Sequence, residues 1–596
     1  MLRGTPAAVS GVVHEPNAPQ RTEMRWCLIW ALASITAWIL FNELAASRLL
    51  AHFHPRGSLA IFNRLLPGGG PHTLSEYEAL WQRRIAVPGF LMLSGFWLLV
   101  GLLLTPAFFQ RCVGEATPSA LGAIRILTCG ALLISALKED LSCLAWLPVE
   151  LRQGMGVVSW LYALPIGFRH LATDATALRA FQAFTELVLV LGLIGWHTRV
   201  VIPIATVCSL LFGGLLRQYS FFWHQDLAAL YLIFVLSFTP CGDGWSVDRL
   251  GKRKRGQPVP PADDSSPVYG WCRYACWVVM AMLYVAAGLS KVRNAGASWW
   301  GANTMRHILF TDSLNPMEFD WHVSLSLAQA PDAVFTLLAL AALAVELGFV
   351  LVLFSRVARR IWPLLMMAMH ATIIFLQNIL FFDLIVLQLV FFDPTQLRSA
   401  VRRGVSCGKL RPTDSRRRAA DAGTTPRTAA GRLRPATAIS FLALVLFGTW
   451  FYRIEFFPLT AMQMYTGPAW RSSTRITYVK ALGYHVTGSA SEDYFKQATG
   501  SMAIDGRFRP VLFDCFKESA AVDRCRKFLL ACATTYNAAA RPSDRLTRFE
   551  IQQWVWDYGK DPGSRTHGEM ANRFVLPLDG ERVALLGGAG GPADHD

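Results

Sequence analysis

One lysine and two histidines fall in or beside strongly apolar stretches of this chain, where burial alters proton chemistry most. Lys291 ends the segment Ala286-Ala287-Gly288-Leu289-Ser290-Lys291-Val292, which closes an apolar run starting near Trp271 and precedes Trp299-Trp300-Gly301. An ammonium group half in lipid is costly unless it is paired, reaches the interface or sheds its proton. In the last case Lys291 is a base; in the second it snorkels from a helix end. His224, next to Trp223, and His370, among Met366, Met367 and Met369, are the nitrogen groups that could work with it. The topology derived below brings His224 and Lys291 out near one face and leaves His370 in the same half of its helix. All three are therefore expected to line one cavity, with Trp223 and Trp299 as aromatic walls for a cofactor. Without such chemistry His224 reads as an interfacial histidine and His370 as a hydrogen-bonded core histidine.

Four more ionisable residues stand at membrane depth: Arg125, Glu186, Glu346 and Asp383. Each is costly alone in lipid, so Arg125 with Glu186 is expected to form a buried structural ion pair, with Glu346 and Asp383 in the same supporting part. No HExxH, histidine string or paired-cysteine spacing is present, so no metal site is expected.

The elements that must position these residues follow from composition. With 53% hydrophobic and only 16% charged residues over 596 positions, and a mean hydropathy of +0.33, the chain is more apolar than soluble globular proteins. Eleven stretches approach the roughly 20 residues a helix needs to cross a bilayer. They lie near 25–45, 87–108, 119–137, 178–197, 199–217, 224–241, 270–290, 334–355, 361–376, 378–396 and 436–453. The ninth and tenth are short and separated only by Gln377-Asn378, which predicts a tight hairpin or a re-entrant element. The first is too long for a signal-peptide core of about 7–15 residues and is read as a retained anchor.

Basic residues set the orientation. Gly251-Lys252-Arg253-Lys254-Arg255, then Arg356, Arg359 and Arg360, then the run from Arg398 to Arg434 should all face the cytoplasm, together with Arg3, Arg21 and Arg25. The residues after about 454 then lie outside a cell (inner) membrane. The net charge of +16 is thus topology information, with the lipid bilayer rather than nucleic acid as partner.

The expected fold class is an all-α polytopic membrane protein, a bundle of about eleven transmembrane helices with a small C-terminal extracytoplasmic α+β segment. Its parts are 1–118, an N-terminal tail and two additional helices; 119–396, the core; 397–435, a basic linker; 436–453, the last helix; and 454–596, the external segment. That segment is expected to hold strands around Arg475–Lys480 and Phe508–Phe513 and helices around Ala521–Thr535 and Arg545–Trp556, Pro510 confining the second strand to an edge or demoting it. Cys515, Cys525 and Cys532 permit one disulfide whose pairing the sequence leaves open.

Several short motifs occur in one order: Leu121-Gly-Ala-Ile-Arg125-Ile-Leu, Leu191-Gly-Leu-Ile-Gly-Trp-His-Thr-Arg199, His224 followed by Trp245-Ser246-Val247-Asp248, and Ala287-Gly288-Leu289-Ser290-Lys291 with Trp299 and Gly301. In that order they resemble the horizontally transferred transmembrane domain (HTTM) family, which includes the vitamin K-dependent gamma-carboxylases. The likeness covers about 119–396, under half the chain. It implies Lys291 as the base acting on reduced vitamin K or menaquinol, His224 assisting and His370 as a further candidate, in a lyase-type enzyme that consumes O2 and CO2. It also implies an extracytoplasmic protein or peptide as the acceptor of the chemistry. Ser290 stands where those carboxylases carry a second lysine, and the 140-residue external tail has no motif matching their substrate-binding part.

Three functions are consistent with this pattern: a quinol-dependent oxygenase or carboxylase, a non-enzymatic protein of the same fold serving immunity, sensing or export, and a small-molecule transporter. A transporter more readily shows internal repeats with broken helices, and no clear repeat is visible.

Overall fold

The computed structural model describes residues 18–53, 73–154, 156–161, 172–219, 224–261, 264–316, 319–395, 432–466, 473–491, 502–578 and 584–586. Trp223 and most of the expected linker, 397–431, lie outside the described residues.

Long apolar runs fold as helices because hydrocarbon offers no partner to an unpaired peptide group, and Pro203 and Pro363 are accommodated inside two of them. Nine helices among the described residues are long and apolar enough to cross a membrane: Thr22–His52, Leu74–Leu104, Pro118–Lys138, Ala175–Ile194, Thr198–Arg217, Pro267–Trp300, Asp332–Leu353, Ala358–Gln377 and Leu433–Phe451. Leu227–Leu236 and Phe382–Phe391 are apolar but shorter. The first is preceded by Asp226 in the left-handed region, and the second is cut from Ala358–Gln377 by Asn378 at φ 58°. Starts are set by polar caps followed by proline: the Thr117 hydroxyl accepts from Ala120 N at 3.2 Å and Ser266 from Val268 N at 3.3 Å, ahead of Pro118 and Pro267.

Contacts divide the chain into two compact units. One takes in the chain up to Val113 together with Gly408–Gly448. Within it, Trp38 Nε1 donates to the Ala86 carbonyl at 3.0 Å, Trp97 Nε1 to Ser34 Oγ at 2.8 Å, and Arg432 N to Glu23 at 2.7 Å.

The other unit comprises Gly114–Cys407 and Thr449–Asp596. Its central helix is Pro267–Ala295, buried along most of its length. After the last apolar helix the chain forms a two-stranded ribbon, β1 (Glu455–Phe456) and β2 (Leu459–Thr460), then β3 (Arg475–His485) and β4 (Ala490–Ser491). Two helices, Met502–Phe513 and Ala520–Ala539, lead into β5 (Leu546–Asp557), β6 (Glu569–Pro577) and β7 (Ala584–Leu586). The sheet is antiparallel in the order β4-β3-β5-β6-β7.

Two expectations for this segment are corrected. Phe508–Phe513 is helical, because Phe508 and Leu512, four residues apart, bury one face and Phe508 stacks on Phe528 at 4.9 Å; this packing offsets the intrahelical hydrogen bond that Pro510 removes. Arg545–Trp556 is not helical but forms most of β5, whose Phe549 and Ile551 alternate inward and which pairs with a strand on each side. The disulfide joins Cys515 to Cys525, and Cys532 keeps its thiol.

A candidate buried site around Lys291

Lys291 and Tyr284 are seven residues apart on the central helix, which puts them on one face about 10 Å apart along its axis. That face lines a cavity of about 290 Å³, at the small end of ligand pockets of about 300–1,000 Å³. The opposite walls come from Asp332–Gly348, which supplies Glu346, and Ala358–Gln377, which supplies His370. His224, Trp299, Met462, Met464 and Tyr465 complete it, and most of the lining surface is apolar.

Lys291 Nζ is hydrogen-bonded to Glu346 Oε1, and both side chains are buried. The ammonium lies 5.2 Å from the centre of the Trp299 ring, whose π face favours a cation. Among the described residues Glu346 Oε2 has no hydrogen-bond partner, and neither has His370 Nδ1. His370 Nε2 is 3.3 Å from the Tyr284 hydroxyl, which receives a hydrogen bond from Gln388 Nε2 at 2.7 Å. His224 Nε2 lies 3.9 Å from Glu455 Oε2, and burial raises the Glu455 carboxyl above its ordinary value. The Tyr465 hydroxyl donates to Asp312 Oδ2 at 3.0 Å. Asp312 keeps some exposed surface, but its carboxyl is enclosed by protein, and that burial pushes it up to about 8.

Of the residues singled out in the sequence, Lys291, His224, His370, Trp299 and Glu346 therefore meet on one cavity. Arg125 and Glu186 do not form the expected pair. The Arg125 guanidinium donates to four main-chain carbonyls, those of Cys241 (2.7 Å), Trp245 (2.7 Å), Gly244 (3.2 Å) and Leu193 (3.4 Å). Carbonyls at chain turns satisfy a buried guanidinium as a carboxylate would, while Glu186 accepts from Gln182 Nε2 at 3.0 Å. Asp383 has no cation partner among the described residues; its Oδ2 accepts from Asp226 N at 3.0 Å.

Sequence reasoning missed Tyr284, Gln388, Tyr465, Asp312 and Glu455. The seven-residue spacing of Tyr284 from Lys291 was an available signal. Tyr465 and Glu455 reach the site from the tail, which carried no periodic signal connecting it to the bundle. No group of three or more His, Cys, Asp or Glu side chains able to hold a metal occurs among the described residues. The arrangement offers a proton acceptor at Glu346 Oε2, a cation beside it, and histidine nitrogens across an apolar space. No family model, curated protein or solved structure matches the chain.

Proposed function

We propose that this is a polytopic protein of the cell (inner) membrane with eleven crossings, N-terminus cytoplasmic and sheet-bearing tail outside, whose cavity at Lys291 binds an isoprenoid quinol. The observation that carries the reading is the buried Lys291–Glu346 pair in the wall of an apolar cavity, with Glu346 Oε2 lacking a partner among the described residues. A buried polar atom without a partner is costly, and a ligand hydroxyl would satisfy it. The lining thus fits a hydroxylated ring with an apolar chain, which would reach the site from lipid.

The activity proposed is quinol-dependent oxygenation or carboxylation of the HTTM, gamma-carboxylase-like kind, supported by the order of motifs around Arg125, His224 and Lys291. When bound, a reduced quinone supplies the electrons that O2 takes up and, through that oxidation, a strong base. The chain's own share is proton handling: Glu346 Oε2 accepts from the ligand hydroxyl, and Lys291, held at Oε1, keeps positive charge beside the developing anion. Trp299 holds the ammonium in place, and the apolar walls exclude water. Lys291 then acts with Glu346 rather than as a lone base. That engagement of Lys291 also favours a second reading, in which a non-enzymatic HTTM-type protein uses the same cavity as a receptor.

Oxygen-dependent epoxidation of reduced vitamin K or menaquinol by the purified protein in nanodiscs, with Lys291→Ala as control, tests the enzyme. Epoxide formed by the native protein and lost in the variant is expected. Its absence with both quinols in well-folded protein would leave the receptor reading.

A further inference from the structure

We propose that the helix Val247–Lys254 lies in the membrane–water interface and binds acidic phospholipid headgroups through Arg253, Lys254 and Arg255, with Trp245 and Leu250 sunk among the acyl chains. This rests on the membrane-spanning reading, not on the quinol chemistry, and in the proposed orientation the interface is the cytoplasmic one. It gives a role to two sequence motifs that the cavity does not use, Gly195-Trp196-His197-Thr198-Arg199 and Trp245-Ser246-Val247-Asp248.

The two motifs are fastened to each other. Asp248 Oδ1 accepts from His197 N at 2.7 Å, and Oδ2 accepts from Thr198 N and Thr198 Oγ1, each at 2.8 Å. From inside the bundle, the buried Arg125 holds the carbonyls of Cys241, Gly244 and Trp245, the turn that leads into the helix. Asp243 in that turn holds the helix as well: its carbonyl accepts from Arg249 Nη1 at 2.6 Å and its Oδ1 from Lys252 Nζ at 3.2 Å. Residues three and four apart share a helix face. Asp248, Arg249 and Lys252 thus turn one side of the helix toward the bundle, and Val247 and Leu250 fall on the other.

The helix is therefore amphipathic the wrong way round for water, with its polar side engaged by the protein and its apolar side bare. Leu250 is 59% exposed, and Trp245, just ahead of the helix, 48%. Trp196, 44% exposed, stands in the turn between Ala175–Ile194 and Thr198–Arg217, and Val200, a turn further into the second of these helices, is exposed too. Tryptophans at the ends of membrane helices mark the headgroup level. Charge names the lipid: Arg253, Lys254 and Arg255 are exposed, and among the described residues their side chains meet no carboxylate, whereas Lys252 pairs with Asp243. Lys254 follows Leu250 by four residues and so rises from the apolar face, where its stem lies along acyl chains while its ammonium reaches phosphate. Each basic residue close to an acidic membrane surface adds about fivefold in affinity.

The test is photocrosslinking of the full chain in nanodiscs of phosphatidylglycerol and phosphatidylcholine in equal parts. Photoreactive benzoylphenylalanine replaces Leu250 or, as a control within the span, Val200, and mass spectrometry identifies the attached lipid. At position 250 phosphatidylglycerol should be favoured at least about fivefold in low salt, and the preference should shrink as salt screens the charges. Arg253→Gln, Lys254→Gln and Arg255→Gln together should bring the ratio to about one; all three side chains are exposed, so the fold is kept. Position 200 should label both lipids equally in either protein. Asp248→Ala, which frees the helix from the His197–Thr198 turn, should lower the lipid yield at position 250 and leave that at position 200 unchanged. Equal labelling of the two lipids at position 250, or a preference that survives the triple substitution, overturns this inference and leaves the membrane reading standing. Protein adducts in place of lipid at position 250 overturn it in favour of a docked protein. Lipid at neither position overturns the membrane reading as well.

Discussion

Trp299 Nε1 donates to the backbone carbonyl of Tyr465 at 3.1 Å, so the chain after the last apolar helix is fastened to the ring on which the Lys291 ammonium rests. The same stretch is held by Ser290 Oγ on the Ala461 carbonyl at 2.8 Å and by Asn294 on Thr466 at 3.1 Å. Trp299→Phe keeps the aromatic face and loses the N–H, and should lower stability by about 1 kcal/mol. Trp299→Ala loses both and should cost about 3–5 kcal/mol. Thermal denaturation of the two variants in one detergent checks the order.

Removing one member of the Lys291–Glu346 pair leaves the other buried and uncompensated. Glu346→Ala or Lys291→Ala alone should cost about 3–5 kcal/mol, and a Lys291→Met, Glu346→Leu double variant should recover much of that stability. Quinol binding should be lost in all three. Stability and binding would then separate in the double variant, as a functional pair requires.

Arg125 satisfies carbonyls from two separate chain segments, the Cys241–Trp245 turn and Leu193, with a planar fork. Arg125→Lys keeps the charge but not the fork, so it should be nearly as destabilising as Arg125→Ala. Expression yield and monodispersity on gel filtration report the outcome; full rescue by lysine would show that charge alone is needed.

Asp312 keeps its proton in the folded state up to about pH 8, whereas an unfolded aspartate loses it near pH 4. Between those values the folded state binds more protons, so stability contributed here is full below about pH 4, falls as pH rises and levels off above about pH 8. Asp312→Asn should flatten that fall. Melting temperature against pH for the native and variant proteins measures it.

The Cys515–Cys525 link closes a short loop that includes the first turn of the Ala520–Ala539 helix. Replacing both by serine should cost the tail about 2–3 kcal/mol. Protease susceptibility of the sheet region, with and without a reductant, should rise in parallel with that loss.

The helices were legible because lipid-length apolar runs have few other folds: ten-residue stretches such as Leu227–Leu236 were visible too, though their length was not. The tail was less so. β5 carries Phe549, Ile551, Trp554 and Trp556 among charged residues, and its strand identity depends on neighbours on both sides. In the site, cost arguments found Lys291, His370 and Glu346, since a charge or imidazole in an apolar run must be explained. They did not find partners. Arg125 could meet a carboxylate or carbonyls with equal chemistry, and only the turn around Cys241–Trp245 decides. Tyr284 and Gln388 read as ordinary core residues until their hydrogen bonds are seen.

The wall supplied by Met462, Met464 and Tyr465 is synthesised long after the helices that carry Lys291 and Glu346. A growing chain therefore carries its charged pair before that wall exists. A chain ending before residue 461 would carry the Lys291–Glu346 pair without the wall that Met462, Met464 and Tyr465 supply.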